Sequence, residues 1–195
     1  MPLTAHSFET QNAVDQLFYG RIPIEKAAVF LNFSKEGIVK NLLHYLKYGN
    51  QQEIGTFLGN WFGEVLADTI PSNIDAVIPV PLHRRRLKKR RYNQVTPFGE
   101  RLAHHLNADF REDILSRTKN TKSQTKKSRS ARAKLEESAF AISKESQQIQ
   151  GKHLLLVDDV ITTGATIEAC AKALLTIPEV TIYVAAIAWV PPKGI

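Results

Sequence analysis

The chain has a single cysteine, Cys170, among its 195 residues. One thiol cannot form a disulfide within the chain, so the sequence excludes a disulfide-stabilised scaffold and fits a reducing compartment. Long apolar runs are also missing, since the longest, residues 182–190, is too short to span a bilayer. The first residues lack the basic start and apolar core of a secretory signal. We therefore predict a cytoplasmic protein with no membrane partner.

The chain contains no internal repeat and no Gly-Lys-Ser/Thr, which excludes a Walker phosphate loop. Acidic residues are in the minority, 19 against 26 lysines and arginines, and the net charge is +7. Most of the excess lies in two basic blocks, residues 84–91 and 119–134. Such a balance attracts polyanions, which include nucleic acid, anionic membranes and highly phosphorylated small molecules.

The most informative stretch lies near the carboxyl end. Residues 154–157 form an apolar run, Leu-Leu-Leu-Val, typical of a strand buried on both faces of a parallel sheet. We predict that this strand ends at two adjacent carboxylates, Asp158 and Asp159. A loop of hydroxyl-bearing and small residues follows at 162–166, and residues 167–175 have the pattern of a helix. In an open α/β sheet, ligands bind just beyond the carboxyl ends of the strands.

Each residue type in this stretch suits one part of a phosphorylated sugar. Backbone N–H groups at a helix N-terminus, and the helix dipole, favour a phosphate. Gly164 permits a backbone conformation that a side chain would oppose, and threonine hydroxyls can donate to the same oxygens. Ionised Asp158 and Asp159 are acceptors only, so they suit two neighbouring sugar hydroxyls or a hydrated Mg²⁺. A phosphate and a diol recognised a few residues apart describe a ribose 5-phosphate.

Two other interpretations explain parts of the stretch. Leu-Val-Asp-Asp also occurs in response-regulator receivers, but that fold needs further strands and another downstream aspartate, and too little chain follows Asp159 to supply them. A buried strand followed by a capped helix explains the threonines and Gly164. It does not explain two adjacent carboxylates.

The stretch resembles the motif of type I phosphoribosyltransferases that binds 5-phosphoribosyl 1-pyrophosphate (PRPP): an apolar strand, two acidic residues and Thr-Thr-Gly-x-Thr. The resemblance implies an α/β fold with a parallel twisted sheet flanked by helices. It implies that Asp158 and Asp159 are catalytic residues that hold the 2- and 3-hydroxyls of the ribose, and that Mg²⁺ is held mainly by PRPP. The implied cradle for the 5-phosphate consists of Thr162, Thr163, Gly164, Ala165 and Thr166.

Three further segments narrow the resemblance to the ComF family of competence proteins, also called GntX-like or amidophosphoribosyltransferase-like. They are Phe-Tyr-Gly-Arg-Ile-Pro-Ile-Glu at 18–25, Ile-Pro-Val-Pro-Leu-His at 78–83, and Arg-Arg-Tyr-Asn-Gln at 90–94. We predict a single domain over residues 1–195, with a strand-and-helix cap at 1–50. Family members usually begin with a zinc ribbon of paired Cys-x-x-Cys motifs, which this chain lacks, so no such zinc site is expected. Arg91 stands where the family more often has glycine.

A strand predicted at 76–78 runs into Pro79, where it must stop because proline cannot donate to a sheet ladder. The basic block that follows is placed to bind an anion. For PRPP this anion is the pyrophosphate leaving group, which suits the planar, two-donor fork of arginine. The predicted pyrophosphate-binding residues are Pro81, Leu82, His83, Arg84 and Arg90. A solvated basic face and contact with a nucleic-acid backbone stay open as alternatives, although no aromatic residues are interleaved to stack bases.

The second basic block belongs to a polar stretch that is almost free of apolar residues and cannot fold onto a core by itself. Type I phosphoribosyltransferases carry a mobile loop or hairpin that closes over PRPP, and the resemblance implies that residues 116–136 form it. Lys127 and Leu135 depart from the family pattern. The loop residues that match this pattern are Arg117, Thr121, Gln124 and Arg132.

The remaining elements are predicted from the spacing of apolar residues and from the positions of glycine and proline. Strands are predicted at 27–33, 113–115, 140–142 and 181–188. Helices are predicted at 38–48, 54–67 and 95–106, and the first of them is expected to serve packing. Residues 1–12 are expected to fray, and residues 17–24 to form a turn or a short extended element.

The sequence thus predicts Mg²⁺-dependent binding of PRPP and transfer of its phosphoribosyl group to an unknown nucleophile, with release of pyrophosphate. Two other classes stay open. One is a regulatory module that binds PRPP or a nucleotide without transfer, because nothing identifies a pocket for an acceptor base. The other is an accessory of DNA uptake, with DNA or a competence helicase as its partner. A homodimer is also open.

Overall fold

The computed structural model describes residues 1–71, 73–118 and 139–192. Its helices are α1 (Ala13–Phe18), α2 (Ile38–Tyr48), α3 (Gln52–Thr69), α4 (Arg84–Arg90), α5 (Thr96–His105) and α6 (Ala165–Leu174), with a short 3-10 helix at Lys144–Ile149. Its strands are β1 (Leu3–His6), β2 (Lys26–Asn32), β3 (Ala76–Pro79), β4 (Asp109–Phe110), β5 (Leu115–Arg117), β6 (Phe140–Ile142), β7 (His153–Ile161) and β8 (Thr181–Trp189). No helix in these ranges is both long and apolar enough to cross a bilayer.

Within the described residues, six strands form one sheet in the order β1-β2-β8-β7-β3-β4. Neighbouring strands are parallel except for β1 and β2, which are antiparallel. β5 and β6 form a separate antiparallel pair. The predicted fold class, an α/β protein with a mostly parallel central sheet flanked by helices, is confirmed.

The sheet is covered on both faces because alternate side chains of its strands enter two separate cores. Leu154 and Leu156 of β7 enter the core that also contains residues of α1 and α6. Leu155 and Val157 enter the core under α2, α3 and α5. Burial on both faces explains the continuous apolar runs at 154–157 in β7 and 182–189 in β8, and each fully buried leucine contributes about 1.5–3 kcal/mol.

Unequal strand lengths shape the carboxyl edge of the sheet. β3 pairs with β7 only as far as Pro79, which lies opposite Val157. The Val80 N–H then donates to the Val157 carbonyl at 2.8 Å, and β3 has ended. On its other side, β7 pairs with β8 as far as Ile161. The prediction that β7 ends at the two carboxylates was therefore wrong, because its pairing with β8 carries it past them.

The amino-terminal segment contains two elements that were not predicted. β1 lies among the residues expected to fray, and it pairs with β2 at the sheet edge. Phe18, expected in a turn, belongs to α1. Asn12 begins this helix, because its side-chain oxygen accepts the N–H groups of Val14 and Asp15 at 2.9 and 3.2 Å. Both elements are short, and they depend on tertiary partners for their stability.

One predicted strand is displaced. The structure has no strand at 113–114; β5 begins at Leu115 and pairs with β6 in the small antiparallel sheet. Ile114 is nevertheless fully buried, which is why the apolar pattern placed the strand early. β4, which was not predicted, adds two residues to the main sheet beside β3.

Candidate functional site

Asp158 and Asp159 are neighbours on β7 at the point where β3 has ended, and they are 9% and 5% exposed. Successive side chains of a strand point to opposite faces of the sheet. Asp158 therefore lies on the face of Leu156, and Asp159 lies on the face of Val157. The two carboxyl groups flank the carboxyl edge of the sheet from opposite sides.

The Asp159 carboxylate is held by two donors from other elements. Lys47 Nζ, in the last turn of α2, is 3.1 Å from Oδ1. Gln94 Nε2, just before α5, donates to Oδ2 at 2.5 Å, and Gln94 is itself buried. Neither role was predicted. Gln94 belongs to the motif at 90–94, which could have drawn attention to it, whereas Lys47 carries no signal because its helix shows ordinary packing periodicity.

The Asp158 carboxyl group is buried beside a second negative charge. Its Oδ1 accepts the Asp159 N–H at 2.8 Å. Burial, and then the Asp159 charge, raises the pKa of Asp158 to about 7, while that hydrogen bond and the positive charges of Lys47 and Arg117 act to lower it. A carboxyl group that titrates near neutrality at the edge of a sheet is typical of a functional site.

The five residues predicted to hold a phosphate line one small cavity of about 120 Å³, together with Asp158. Gly164 precedes α6 with a φ of +74°, the left-handed conformation that glycine adopts most readily. Because the ten-residue helix α6 begins at Ala165, its free N–H groups and the positive end of its dipole meet the loop. The structure thus brings a carboxyl group and an anion cradle to a single cavity.

The amino-terminal segment supports this loop. Arg21 Nη1 donates to the Thr163 carbonyl at 2.9 Å, and Arg21 Nε donates to Glu168 Oε2, on α6, at 3.0 Å. The Phe18 ring packs so closely that a Cβ on Gly164 would lie 2.7 Å from its Cε1. The segment at 18–25 therefore positions residues 162–166 (the predicted phosphate loop), a role that was not predicted from its sequence.

The predicted pyrophosphate-binding residues follow β3 directly. Pro81, Leu82 and His83 are half-buried in the connection to α4, and Arg84 is exposed at the first position of that helix. His83 caps α4, because its Nδ1 accepts the Arg85 N–H at 3.2 Å. α4 has no buried residue, so the structure brings these four residues together and leaves the basic block in contact with solvent.

Arg90 lies at the far end of α4, away from the other four predicted ligands. Its Nη1 donates to Gln94 Oε1 at 2.6 Å, and its Nη2 donates to the Tyr48 hydroxyl at 3.3 Å. Its guanidinium carbon is 4.9 Å from the centroid of the Tyr48 ring, and the hydrogen bond from Arg90 lowers the pKa of Tyr48. Arg90 is thus joined to Asp159 through Gln94.

Arg91 ends α4 in the left-handed region, with a φ of +70°. This conformation costs a residue with a side chain roughly 1 kcal/mol, which glycine avoids. The departure noted in the sequence, arginine where the family more often has glycine, therefore falls at a position where the backbone favours glycine.

Arg117 is the one predicted loop residue that the structure describes. It ends β5, and its guanidinium carbon is 5.1 Å from the centroid of the Phe140 ring. Its positive charge contributes to lowering the pKa of Asp158, so the loop begins within electrostatic reach of the acid pair. Thr121, Gln124 and Arg132 lie outside the described residues.

In the described ranges, no group of three or more His, Cys, Asp or Glu side chains could hold a metal ion by itself. Mg²⁺ is commonly bound through substrate phosphates and water, with few protein ligands. The site fits that arrangement, because a carboxyl group and an anion cradle share one cavity.

The raised pKa of Asp158 predicts a pH-dependent stability. Because its folded-state pKa of about 7 lies above its ordinary value of 3.8, the folded protein binds this proton more tightly. The contribution of Asp158 to the free energy of unfolding therefore falls as pH rises from about 4 to 7. Asp158→Asn removes the charge and keeps the shape. We expect the Tm advantage of this variant over wild type to grow across that range, to several degrees above pH 7.

Thermal denaturation between pH 4 and 8 measures this difference. Glu64→Gln, at an exposed position of α3, is the control and should leave Tm within about 1 °C at every pH. A Tm difference for Asp158→Asn that does not change with pH would mean that Asp158 has an ordinary pKa.

Gly164→Ala tests the packing of the phosphate loop. The variant combines a left-handed φ with a Cβ that meets the Phe18 ring, so we expect a loss of about 2–4 kcal/mol in the free energy of unfolding. Gly20→Ala is the matched control, because Gly20 has a φ of +68° and open space around its Cβ. It should lose only about 1 kcal/mol in urea denaturation. Equal losses would show that the Phe18 contact is not restrictive.

Comparison with known proteins gives a consistent result. A family model described as phosphoribosyl transferase domain matches residues 96–188. The DNA utilization protein YhgH of Escherichia coli O157:H7 is 31% identical over 147 residues, which cover 73% of this chain and 63% of that protein. Competence protein F of Haemophilus influenzae is 33% identical over 111 residues, 56% of this chain and 48% of that protein. The chain thus spans less than two thirds of the length of these relatives.

Among solved structures, the adenine phosphoribosyl transferase of Trypanosoma brucei aligns with 83% of this chain and 71% of its own, with a TM-score of 0.47 and 14% identity. The segment matched by the family model contains the acid pair and the phosphate loop. The chain is thus a relative of DNA utilization and competence proteins, and its residues 96–188 match the phosphoribosyl transferase domain family.

Proposed function

We propose that this protein binds PRPP together with Mg²⁺ and transfers the phosphoribosyl group to a nucleophile, with release of pyrophosphate. The observation that carries the proposal is the shared cavity, which is lined by Asp158 and by the loop residues 162–166. A carboxylate beside an anion cradle suits a hydroxyl and a phosphate of the same molecule. The match of residues 96–188 to the phosphoribosyl transferase domain supports this choice among phosphorylated sugars.

In this proposal the 5-phosphate accepts hydrogen bonds from the amides that begin α6, and from the hydroxyls of Thr162, Thr163 and Thr166. The ring hydroxyls donate to the acid pair. Hydrogen bonds to a carboxylate favour its ionised form, so binding lowers the pKa of Asp158 from about 7 and releases a proton near neutral pH. The site holds the sugar at both ends and thereby orients C1 for reaction.

Transfer requires the bond between C1 and pyrophosphate to break, with positive charge developing on the ring and negative charge on the leaving group. Exposed Arg84 and the basic face of α4 lie next to the end of β3, where they can bind the departing oxygens. Each charge-assisted hydrogen bond of this kind contributes about 1.5–3 kcal/mol. Mg²⁺ held by the phosphate oxygens would neutralise part of the same charge.

Titration calorimetry with PRPP and Mg²⁺ tests the binding step. Asp158→Asn removes the acceptor charge, so we expect its affinity for PRPP to be about ten- to one-hundred-fold lower than that of wild type. Glu64→Gln again serves as the control and should bind like wild type. Equal affinity in Asp158→Asn and wild type would contradict the proposed contact with the sugar hydroxyls.

An assay of pyrophosphate release, with PRPP and a panel of nucleobases, separates an enzyme from a binding module. Release that depends on one base identifies the acceptor. If PRPP binds and no base causes release, the regulatory alternative is favoured.

A second candidate function is the handling of single-stranded nucleic acid, and the surface around Arg90 favours it. The basic block has no interleaved aromatic residues, but the fold brings rings to it from α2. Tyr48 is 61% exposed and lies under the Arg90 guanidinium, and the His44 ring is 5.3 Å from the Tyr48 ring. Exposed rings beside a basic helix can stack bases and attract phosphates. The relatives named for DNA utilization and competence accord with this use.

Fluorescence anisotropy of a labelled oligothymidylate, measured over a range of salt concentrations, tests this candidate. Replacing the exposed Lys88 and Lys89 by alanine should lower the slope of log K against log salt by about 0.7 per lost phosphate contact. Tyr48→Leu should weaken binding about five-fold or more without changing the slope. Tyr19→Leu, exposed at the end of α1, is the control. An unchanged slope in the lysine variant would exclude α4 as the binding surface.

A further inference from the structure

Lys47, a residue of the amino-terminal cap, forms an ion pair with Asp159. It lies on α2, whose predicted role was packing, and its Nζ is 3.1 Å from Asp159 Oδ1. The Lys47 side chain is 21% exposed and the Asp159 side chain is 7% exposed. By contrast, Lys40 on the same helix is exposed. The ion pair joins residues that are far apart in the sequence but meet at the edge of the sheet.

The end of α2 is held in the position that this ion pair requires. Leu43 and Leu46 are buried in the core shared with α3 and α5. The Tyr92 hydroxyl donates to the Leu46 carbonyl, which fastens the last turn of α2 to the segment that carries Gln94. The positions of Lys47 and Gln94 relative to each other are therefore set, so that both side chains can contact Asp159 at once.

Together the two donors engage both oxygens of Asp159, Lys47 at Oδ1 and Gln94 at Oδ2. A carboxylate offers about four acceptor positions, so roughly two are left for a ligand. Rotation of the carboxylate would break at least one of the two contacts, so the direction of the remaining positions is set. Because desolvation offsets much of the attraction in a buried ion pair, the pair itself adds little net stability, although removing Lys47 alone leaves Asp159 as an uncompensated buried charge.

We propose that Lys47 is a positioning residue of the sugar site. With Gln94 it holds Asp159 in the orientation that accepts a ribose hydroxyl, so that the site recognises the hydroxyls of the sugar as well as its phosphate. The inference rests on the proposed binding of PRPP. It makes α2, and with it the amino-terminal cap, a part of the sugar site.

Two ligands separate recognition of hydroxyls from recognition of phosphate. Ribose 5-phosphate carries both groups, whereas tetrahydrofurfuryl phosphate has the same ring and phosphate without ring hydroxyls. The quantity measured by calorimetry is the ratio of the two affinities. We expect Lys47→Met, which keeps the apolar stem, to lower this ratio about ten-fold or more. Lys47→Arg should keep the ratio within about three-fold of wild type, and Lys40→Met should leave it unchanged.

The outcomes are distinguishable. If Lys47→Met weakens both ligands equally, or lowers only Tm, Lys47 is structural; the inference is overturned while the proposed function stands. If wild type binds neither ribose 5-phosphate nor PRPP, the proposed function fails and the inference with it. An affinity ratio that is lowered in Lys47→Met and kept in Lys47→Arg supports the inference.

A double-mutant cycle covers the case in which Lys47→Met, with Asp159 left buried beside no cation, does not fold. Lys47→Met combined with Asp159→Asn contains no such charge. If Lys47 acts through Asp159, the double variant has the same affinity ratio as Asp159→Asn alone. A further fall of the ratio in the double variant would overturn the inference.

Discussion

The candidate site depends on a difference in strand length at one edge of the sheet. β3 stops at Pro79, opposite Val157, whereas β7 continues along β8 to Ile161. Proline has no N–H for the ladder, and the chain turns away toward α4. The edge of β7 that β3 no longer covers carries the two aspartates. Without this early stop, β3 would continue beside the two aspartates and cover this edge of β7.

Burying the carboxyl groups of two successive residues is unfavourable, and the fold provides the two groups with different compensating contacts. Asp159 receives a cation and an amide from two other elements, Lys47 at 3.1 Å and Gln94 at 2.5 Å. Asp158 accepts a backbone N–H, and its pKa is raised to about 7. The two aspartates therefore differ: the Asp159 carboxylate is held in one orientation, whereas the Asp158 carboxyl group can exchange a proton near neutral pH. The stability lost by burying Asp158 is of the kind that functional sites retain.

The amino-terminal cap supports both halves of the site. Arg21, after α1, holds the phosphate loop through the Thr163 carbonyl, and Lys47, at the end of α2, holds Asp159. β2 connects these two regions and pairs with β8 in the main sheet, which places α1 and α2 in opposite cores. The cap is therefore part of the architecture that orients the loop on one face and the carboxylate on the other.

The fold class, the acid pair and the predicted phosphate loop could be inferred from the sequence alone, because each is a contiguous pattern: an apolar run, adjacent aspartates, and Thr-Thr-Gly-x-Thr before a helix. The tertiary structure alone decided which distant side chains support them. Arg21 and Glu168 are 147 positions apart, and nothing local predicts that they meet. Likewise, the pattern of α2 showed which side faces the core but not that Lys47 would reach Asp159 or that Tyr48 would lie under Arg90. Periodicity reports burial along one element, whereas such contacts depend on how elements pack against each other.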